Sequence, residues 1–158
     1  MEEIKLDKTN KKILDMLQDD NTITYVELSK KIGLSPASTF ERIKKLEKNG
    51  IIRKNVALID GKKIGKGTTV FVIITMSKHS DKAIKDLNYH MQQIPEVLEC
   101  YGISGEKDYI IKIVTKDIRS CETIVVDKLC KIPGIARFDT HFVILNLKEE
   151  TKITIPDW

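Results

Sequence analysis

The chain lacks the features of a membrane protein and of a secreted protein held together by disulfides. Its apolar runs fall well short of the roughly 20 residues that a membrane-spanning helix needs, and no basic-then-apolar leader opens it. The three cysteines, Cys100, Cys121 and Cys130, are spaced for neither a disulfide framework nor a zinc site. We expect an intracellular, cytoplasmic protein without a metal, whose cysteines are small buried apolar residues or, alternatively, redox sensors.

The sequence also lacks a catalytic constellation. His79, His90 and His141 are scattered, no pair of carboxylates is spaced for acid–base chemistry, and no nucleophile motif occurs. Residues 61–67 (GKKIGKG) do not have the GxxxxGK[S/T] spacing of a phosphate-binding loop, and a predicted strand follows them. We therefore expect neither catalysis nor a cofactor, and we interpret residues 61–67 as a hinge between two domains.

The most informative stretch is residues 24–47, which predicts two short helices joined by a tight turn. Thr24 starts the first helix with the T-x-x-E spacing of a capping box. Gly33 gives the turn a residue that tolerates a left-handed backbone, and Ser35 followed by Pro36 is a typical helix start. The pattern indicates a helix-turn-helix whose second helix, residues 36–48, would enter the major groove of DNA.

Polar residues on this second helix form the predicted DNA interface. We expect Ser38, Thr39 and Arg42 to lie nearest the bases, with Arg42 able to make two hydrogen bonds to a guanine. The other residues expected at the DNA, mostly as phosphate contacts, are Lys30, Ser35, Pro36, Lys44, Lys45, Arg53 and Lys54. For Arg53 and Lys54, an ordinary solvated strand end is an equally good interpretation.

The net positive charge of the chain lies entirely in the part that holds the helix pair. Residues 1–65 contain 14 Lys and Arg against 10 Asp and Glu, whereas residues 66–158 contain 13 of each. Helix pairs are common and most bind no ligand, so the motif alone would be weak evidence for DNA binding. This charge asymmetry is the footprint expected of a nucleic-acid partner and favours DNA binding.

Residues 1–60 have the pattern of a small winged helix-turn-helix domain. A first helix is predicted over residues 6–17 with Asp7 as its cap, and Asn49-Gly50 ends the third helix. Residues 51–59 are predicted to be extended and to form the wing. The apolar residues expected in the core are Leu6, Ile13, Leu14, Leu17, Tyr25, Leu28, Ile32, Phe40, Ile43 and Leu46.

The second domain, residues 68–158, contains an internal repeat. A strand over residues 68–77, a helix over 80–94 and a strand to 103 are followed by a strand from Tyr109, a helix capped by Asp117 and a strand to 147. Each second strand opens after an Ile-Pro pair, and the two pairs are 38 residues apart. The predicted fold is ferredoxin-like βαββαβ, which makes the whole chain α+β.

The first strand of this domain is apolar on both faces. Val70, Val72, Ile74 and Met76 share one face, and apolar residues also occupy the other. Two helices can cover only one face of a sheet, so the other needs a second cover. We therefore expect the chain to self-associate as a dimer through these sheets.

Nearly the whole chain, from Leu6 to about Lys148, resembles the Lrp/AsnC family of leucine-responsive, or feast/famine, regulators. The resemblance rests on Leu6-Asp7 with KKIL at 11–14, on GLSP at 33–36 with RIKKLE at 42–47, and on YGISGEKDY at 101–109. It implies dimers that assemble into tetramers or octamers and bind inverted-repeat sites in double-stranded DNA. It also implies a free amino acid as effector, bound between dimers at the glycine-containing loop.

The resemblance maps this effector loop to residues 104–108, near the start of the last strand. A bound amino acid needs N–H donors for its carboxylate, which a turn supplies, and an acceptor such as Asp108 for its ammonium. A tight turn between strands explains Gly105 and Asp108 equally well without a ligand. The residues expected at the effector site are Tyr101, Ser104, Gly105, Glu106, Lys107, Asp108, Phe138 and Thr140.

Lys107 and Phe138 depart from the residues usual in the family, which are aromatic or small at the first position and threonine at the second. The identity of the effector therefore stays open, as does a protein that answers to none. The function we expect is sequence-specific DNA binding in transcriptional regulation, modulated by an amino-acid-type effector. The alternatives are an architectural protein that coats DNA without an effector, and a protein of amino-acid metabolism that binds no DNA.

Overall fold

A computed structural model describes residues 6–156, which form two compact units. The described residues up to Leu58 form one unit together with those from Lys148 onward; we call it the helical unit. Ile59–Leu147 form the other, which we call the sheet unit. No helix in the described part of the chain is long and apolar enough to cross a membrane.

The helical unit contains α1 (Lys8–Asp19), α2 (Tyr25–Ile32) and α3 (Pro36–Lys48). Each helix begins after a residue whose side chain accepts a hydrogen bond from the backbone N–H three residues later, as the sequence predicts. These residues are Asp7, Thr24 and Ser35. The capping box at α2 is complete, and the turn to α3 passes through Gly33 at φ 75°.

The core of the helical unit differs from the prediction at its edge. Ile13, Leu14, Leu28, Ile43 and Leu46 are buried as expected. The expectation for the two aromatic residues is wrong, because Tyr25 and Phe40 are 43% and 37% exposed. Their rings meet edge to face at the surface, with centroids 5.4 Å apart. The orientation of α3 directs Thr39, rather than Phe40, into the interior.

Residues 152–155 pack on α1, whereas the sequence predicts residues 148–158 as part of the second domain. Gln18 Nε2 donates to the Ile153 carbonyl at 3.1 Å, and the Ile153 N–H donates to Gln18 Oε1 at 2.7 Å. Lys152 Nζ binds the Asp19 carboxylate at 2.7 Å, and Ile155 packs against the core. Residues 157 and 158, at the end of the predicted domain, lie outside the described range.

The segment expected to form the wing is irregular. Residues 53–60, all of which the structure describes, take part in no β ladder. The connector at 61–67 contains a short 3₁₀ turn, Lys62–Ile64, which ends at Gly65 with φ 75°. The predicted wing segment is thus described without a β ladder of its own.

The sheet unit confirms the predicted βαββαβ order. Its elements are β1 (Thr68–Met76), α4 (Asp81–Gln92), β2 (Val97–Gly102), β3 (Tyr109–Thr115), α5 (Ile118–Asp127) and β4 (Ile135–Phe142). The four strands lie in the order β2-β3-β1-β4, and all neighbours are antiparallel. The last strand ends at Phe142, not at residue 147, and Ile144 beyond it is 98% exposed.

The sheet buries one face and leaves the other partly covered. Five residues of β1 and β3 form the centre of the buried face, namely Val70, Val72, Ile74, Ile111 and Ile113. Helices α4 and α5 contribute Leu87, Met91, Cys121 and Ile124 to the same core. Phe71 and Ile73 alternate to the opposite face, where they are half-buried.

Two expectations about the sheet unit need correction. Of the three cysteines only Cys121 is buried, whereas Cys100 and Cys130 are exposed; desolvation raises the pKa of the Cys121 thiol and also that of the Cys100 thiol. Ile84 and Ile118, predicted on the inner faces of their helices, are largely exposed because they lie in the first turns of α4 and α5.

We expect Gly33→Ala to destabilise the helical unit by about 1–2 kcal/mol, because alanine is strained at a positive φ. An added Cβ would meet no atom within 4 Å, so the effect would come from the backbone alone. Urea unfolding followed by circular dichroism would measure it. The matched control is Gly33→Asn, which tolerates this conformation better and should lose less. Equal stability of the wild type and the alanine variant would contradict this account of the turn.

Candidate nucleic-acid interface and ligand-binding loop

The side of α3 that is buried determines which of its residues are exposed. Thr39, Ile43 and Leu46 are its buried residues and lie on one side of the helix. Because successive residues are rotated by about 100°, the opposite side carries residues 37, 41, 44, 45 and 48. All five are exposed, and we call them the outer face of α3: Ala37, Glu41, Lys44, Lys45 and Lys48.

The prediction that Thr39 lies near the bases is wrong. Its side chain is fully buried, and its Oγ1 donates a hydrogen bond to the carbonyl of Ser35 at 3.0 Å. The hydroxyl is therefore satisfied within the helix and cannot reach a DNA groove. Ser38, one residue earlier, is exposed at the edge of the outer face and remains available.

Arg42 is held against α1. Its Nη1 donates to Asp7 Oδ2 at 2.7 Å and to Asn10 Oδ1 at 3.0 Å. Asp7 Oδ1 at the same time accepts the Asn10 N–H at 2.7 Å, so one carboxylate both caps α1 and binds α3. Partial desolvation of Asp7 opposes its ionisation, but the Asn10 N–H and the Arg42 guanidinium together lower its pKa. The structure thus gives Arg42 a partner other than a base.

Basic side chains dominate the outer face of α3. Lys44 Nζ binds Glu47 Oε2 at 2.8 Å, which raises the lysine pKa, and it lies 5.7 Å from the centre of the Phe40 ring. Lys45 and Lys48 are exposed beside it. Four further predicted DNA-contacting residues, Lys30, Ser35, Arg53 and Lys54, are also exposed, and so is Pro36 at the first position of α3.

In the sheet unit, each oxygen of the Asp108 carboxylate has a partner within the chain. Its Oδ2 accepts the Met76 N–H at 2.7 Å, and its Oδ1 lies 2.6 Å from His79 Nε2. The Met76 bond, followed by the His79 bond, lowers the pKa of Asp108. The residue expected to accept a ligand ammonium therefore fastens the end of β1 to the loop before β3.

Lys107 faces an acidic partner that is not among the residues predicted from the sequence. Its Nζ binds Asp139 Oδ2 at 2.9 Å, and Arg137 binds the other oxygen of Asp139 at 2.8 Å. The bond from Lys107, the stronger cause, and the Arg137 cation lower the pKa of Asp139. The alternation of side chains along β4 could have indicated which face Asp139 occupies. Asp139 pairs with Ile73 and therefore lies on the partly covered face of the sheet.

The predicted effector residues do not all come together. Tyr101, Ser104, Gly105 and Glu106 are exposed, and Gly105 has φ 117°. Phe138 and Thr140 pair with Ile74 and Val72 and so lie on the face opposite Asp139. Phe138 packs against the hydrophobic core, which corrects its assignment to the site beside Lys107.

No group of three or more His, Cys, Asp or Glu among residues 6–156 is placed to hold a metal ion. Both regions present charged side chains. One region presents cations on a helix, and the other presents an exposed turn beside a Lys–Asp–Arg cluster.

Two family models match the chain. A winged helix-turn-helix DNA-binding model matches residues 6–53, and an Lrp/AsnC ligand binding domain model matches residues 69–153. The first match contains α1 to α3, and the second contains the sheet except for the first residue of β1, Thr68.

The chain is also similar to curated regulators over almost its full length. It is 38% identical over 154 residues to the transcriptional regulator AzlB of Bacillus subtilis (strain 168), a match that covers 98% of both chains. It is 32% identical over 150 residues to the leucine-responsive regulatory protein of Escherichia coli (strain K12), covering 95% of this chain and 92% of that protein.

Solved structures agree with these matches. A transcriptional regulator from Neisseria meningitidis, solved as a complex with L-Met, superimposes with a TM-score of 0.89 and 33% identity, covering 95% of this chain and 97% of that one. An AsnC family transcriptional regulator from Agrobacterium tumefaciens gives a TM-score of 0.88 and 35% identity, covering 94% and 96%.

We expect Arg42→Ala to weaken binding to all DNA sequences by a similar factor, because Arg42 positions α3 through Asp7. Asp7→Asn keeps a capping residue but removes the charge, so it should reproduce the effect. In urea unfolding, the two substitutions should be coupled by roughly 0.2–1 kcal/mol, as for a partly exposed ion pair.

Binding constants for a set of duplexes that differ at single base pairs would measure the DNA effect. A loss of preference confined to one base pair in Arg42→Ala, with no such loss in Asp7→Asn, would contradict the positioning role. It would instead indicate that Arg42 leaves Asp7 to read a base.

Proposed function

The chain belongs to the Lrp/AsnC family and is a DNA-binding transcriptional regulator, and from this premise we propose which residues bind DNA, which bind an effector and how the chain assembles. The observation that carries the DNA assignment is the outer face of α3. Three exposed lysines lie there, opposite the buried side of the helix, in the part of the chain with all of the net positive charge.

In the proposed complex, α3 lies in the major groove with Ser38 near the base edges. Lys44 and Lys45 bind phosphates along the helix, and Ser35 and Pro36 bring the amino end of α3 close to the backbone. Lys30, Arg53 and Lys54 are further proposed phosphate contacts. Binding of this kind releases counterions, so affinity falls steeply with salt.

We propose a free amino acid as the effector of the sheet unit. The Neisseria meningitidis relative was solved with L-Met, and the same fold is present here. The exposed turn at residues 104–106 lies next to Lys107 and its partner Asp139, so a ligand there would meet both signs of charge. Lys107 and Asp139 bind each other at 2.9 Å in the single chain, so a bound zwitterion would take the place of this pair, with its ammonium at Asp139 and its carboxylate at Lys107. Tyr101 and Glu106 would border the site.

We propose that the functional particle is at least a dimer, formed through the partly covered face of the sheet. Phe71, Ile73, Ile110 and Val114 lie on this face and are only half-buried in a single chain. A second copy that covered them would remove this apolar surface from water. Assembly into tetramers or octamers, with inverted-repeat sites in the DNA, is proposed from the family resemblance.

The test is a footprint on the region upstream of the chain's own gene at about 0.15 M salt, against a scrambled duplex of equal composition. A discrete, repeated protected site is expected, and L-methionine or L-leucine should change its extent or affinity. Equal binding to both duplexes, unchanged by amino acids, would favour the architectural alternative. Absence of binding to either would contradict the proposed interface.

We expect Lys45→Ala to weaken binding without changing sequence preference and to reduce the slope of log K against log salt by about one unit. The reason is that a phosphate contact contributes released counterions but carries no base information. The matched control is Lys85→Ala, which removes an exposed lysine from α4 in the sheet unit and should leave the slope unchanged. A change of preference in Lys45→Ala would place this residue at a base instead.

A further inference from the structure

One acidic side chain interrupts the basic outer face of α3. Glu41 lies near the centre of that face, because it is about 200° around the helix from the fully buried Thr39. Ala37 and Lys45, one turn before and after, share the same side and are exposed. A carboxylate in this place would face the DNA in any complex in which α3 is the reading helix.

The carboxylate of Glu41 is not committed to a partner in the described part of the chain. A glutamate commonly pairs with a lysine three or four residues later on a helix, and both Lys44 and Lys45 occupy such positions. Lys44 instead binds Glu47 at 2.8 Å and lies over the Phe40 ring. No hydrogen bond or ion pair joins Glu41 to either lysine in residues 6–156, so its oxygens are available as acceptors.

An ordinary solvated charge is the simplest alternative for Glu41, but its position argues against it. A carboxylate directed toward phosphates lowers affinity by repulsion, whereas the residues around it are cations that raise affinity. In the major groove a glutamate has one good class of partner, the amino group of a base, and cytosine N4 is the donor that it typically binds. Ala37 is small and would let the helix approach closely enough for this contact.

We propose that Glu41 is a specificity-determining residue that accepts a hydrogen bond from N4 of a cytosine in each half of the DNA site. The inference rests on the proposed role of α3 as the reading helix. The lysines contribute affinity that does not depend on the DNA sequence. Glu41 makes part of the binding free energy depend on the base that it meets. At a wrong base the carboxylate loses its hydrogen bond to water and gains none from DNA.

The experiment starts from duplexes selected from a random pool by the wild-type protein. Binding constants are then measured for the selected site and for all single-base changes in one half, using wild type, Glu41→Gln, Glu41→Ala and Glu47→Gln. The last variant is the matched control. It also removes one negative charge from α3, but Glu47 is bound to Lys44 and lies beside the outer face rather than on it.

The wild type should discriminate against replacement of one cytosine by roughly 10- to 100-fold. Glu41→Ala should abolish the discrimination at that position alone, and Glu41→Gln should shift it toward adenine, which glutamine binds in the major groove. Both Glu41 variants and Glu47→Gln should bind unrelated DNA more tightly, because each has one negative charge fewer. Glu47→Gln should keep the wild-type preference.

Two results would overturn the inference while leaving the proposed function intact. In the first, both Glu41 variants keep the wild-type preference at every position. In the second, they lose preference at all positions to the same degree, which would mean that Glu41 affects how α3 docks rather than which base it reads. A wild-type protein without any sequence preference would instead overturn both the inference and the proposed DNA site.

Discussion

The burial of Thr39, Ile43 and Leu46 is the constraint on which the candidate DNA interface depends. These three residues fix the rotation of α3 about its own axis, and the rotation decides which side chains can meet a groove. A helix packed by this side must present its three lysines and Glu41 outward. The same rotation turns Arg42 toward α1 and leaves Phe40 at the surface beside Tyr25.

The two units use their charges differently. In the helical unit, Asp7 joins the start of α1 to α3 through Arg42, so one carboxylate stabilises both the helix end and the orientation of α3. In the sheet unit, Asp108 fastens a strand end, whereas Asp139 holds two cations beside an exposed turn. The Asp139 cluster is the one that we propose as the site of a small zwitterion, because it lies beside the exposed turn at residues 104–106.

Local patterns in the sequence predicted the elements well, and their contacts poorly. The helix starts at Asp7, Thr24 and Ser35 could be predicted from the sequence, because capping depends on residues only three positions apart. The βαββαβ order was readable from strand alternation and from the repeated Ile-Pro pair. Thr39 was predicted at the surface and Phe40 in the core, and the structure shows the reverse. Helical periodicity identifies the buried side only to within about one residue, and the choice between the two residues then followed their size and polarity.

The sequence by itself determined the family, the order of the elements and the location of the net positive charge, since each depends on composition or on short-range spacing. Only the tertiary structure decided that Arg42 binds Asp7, that Lys107 binds Asp139 and that Ile153 binds Gln18 of α1. These contacts join residues 32 to 135 positions apart. They depend on the rotation and packing of whole elements, which short-range patterns do not encode.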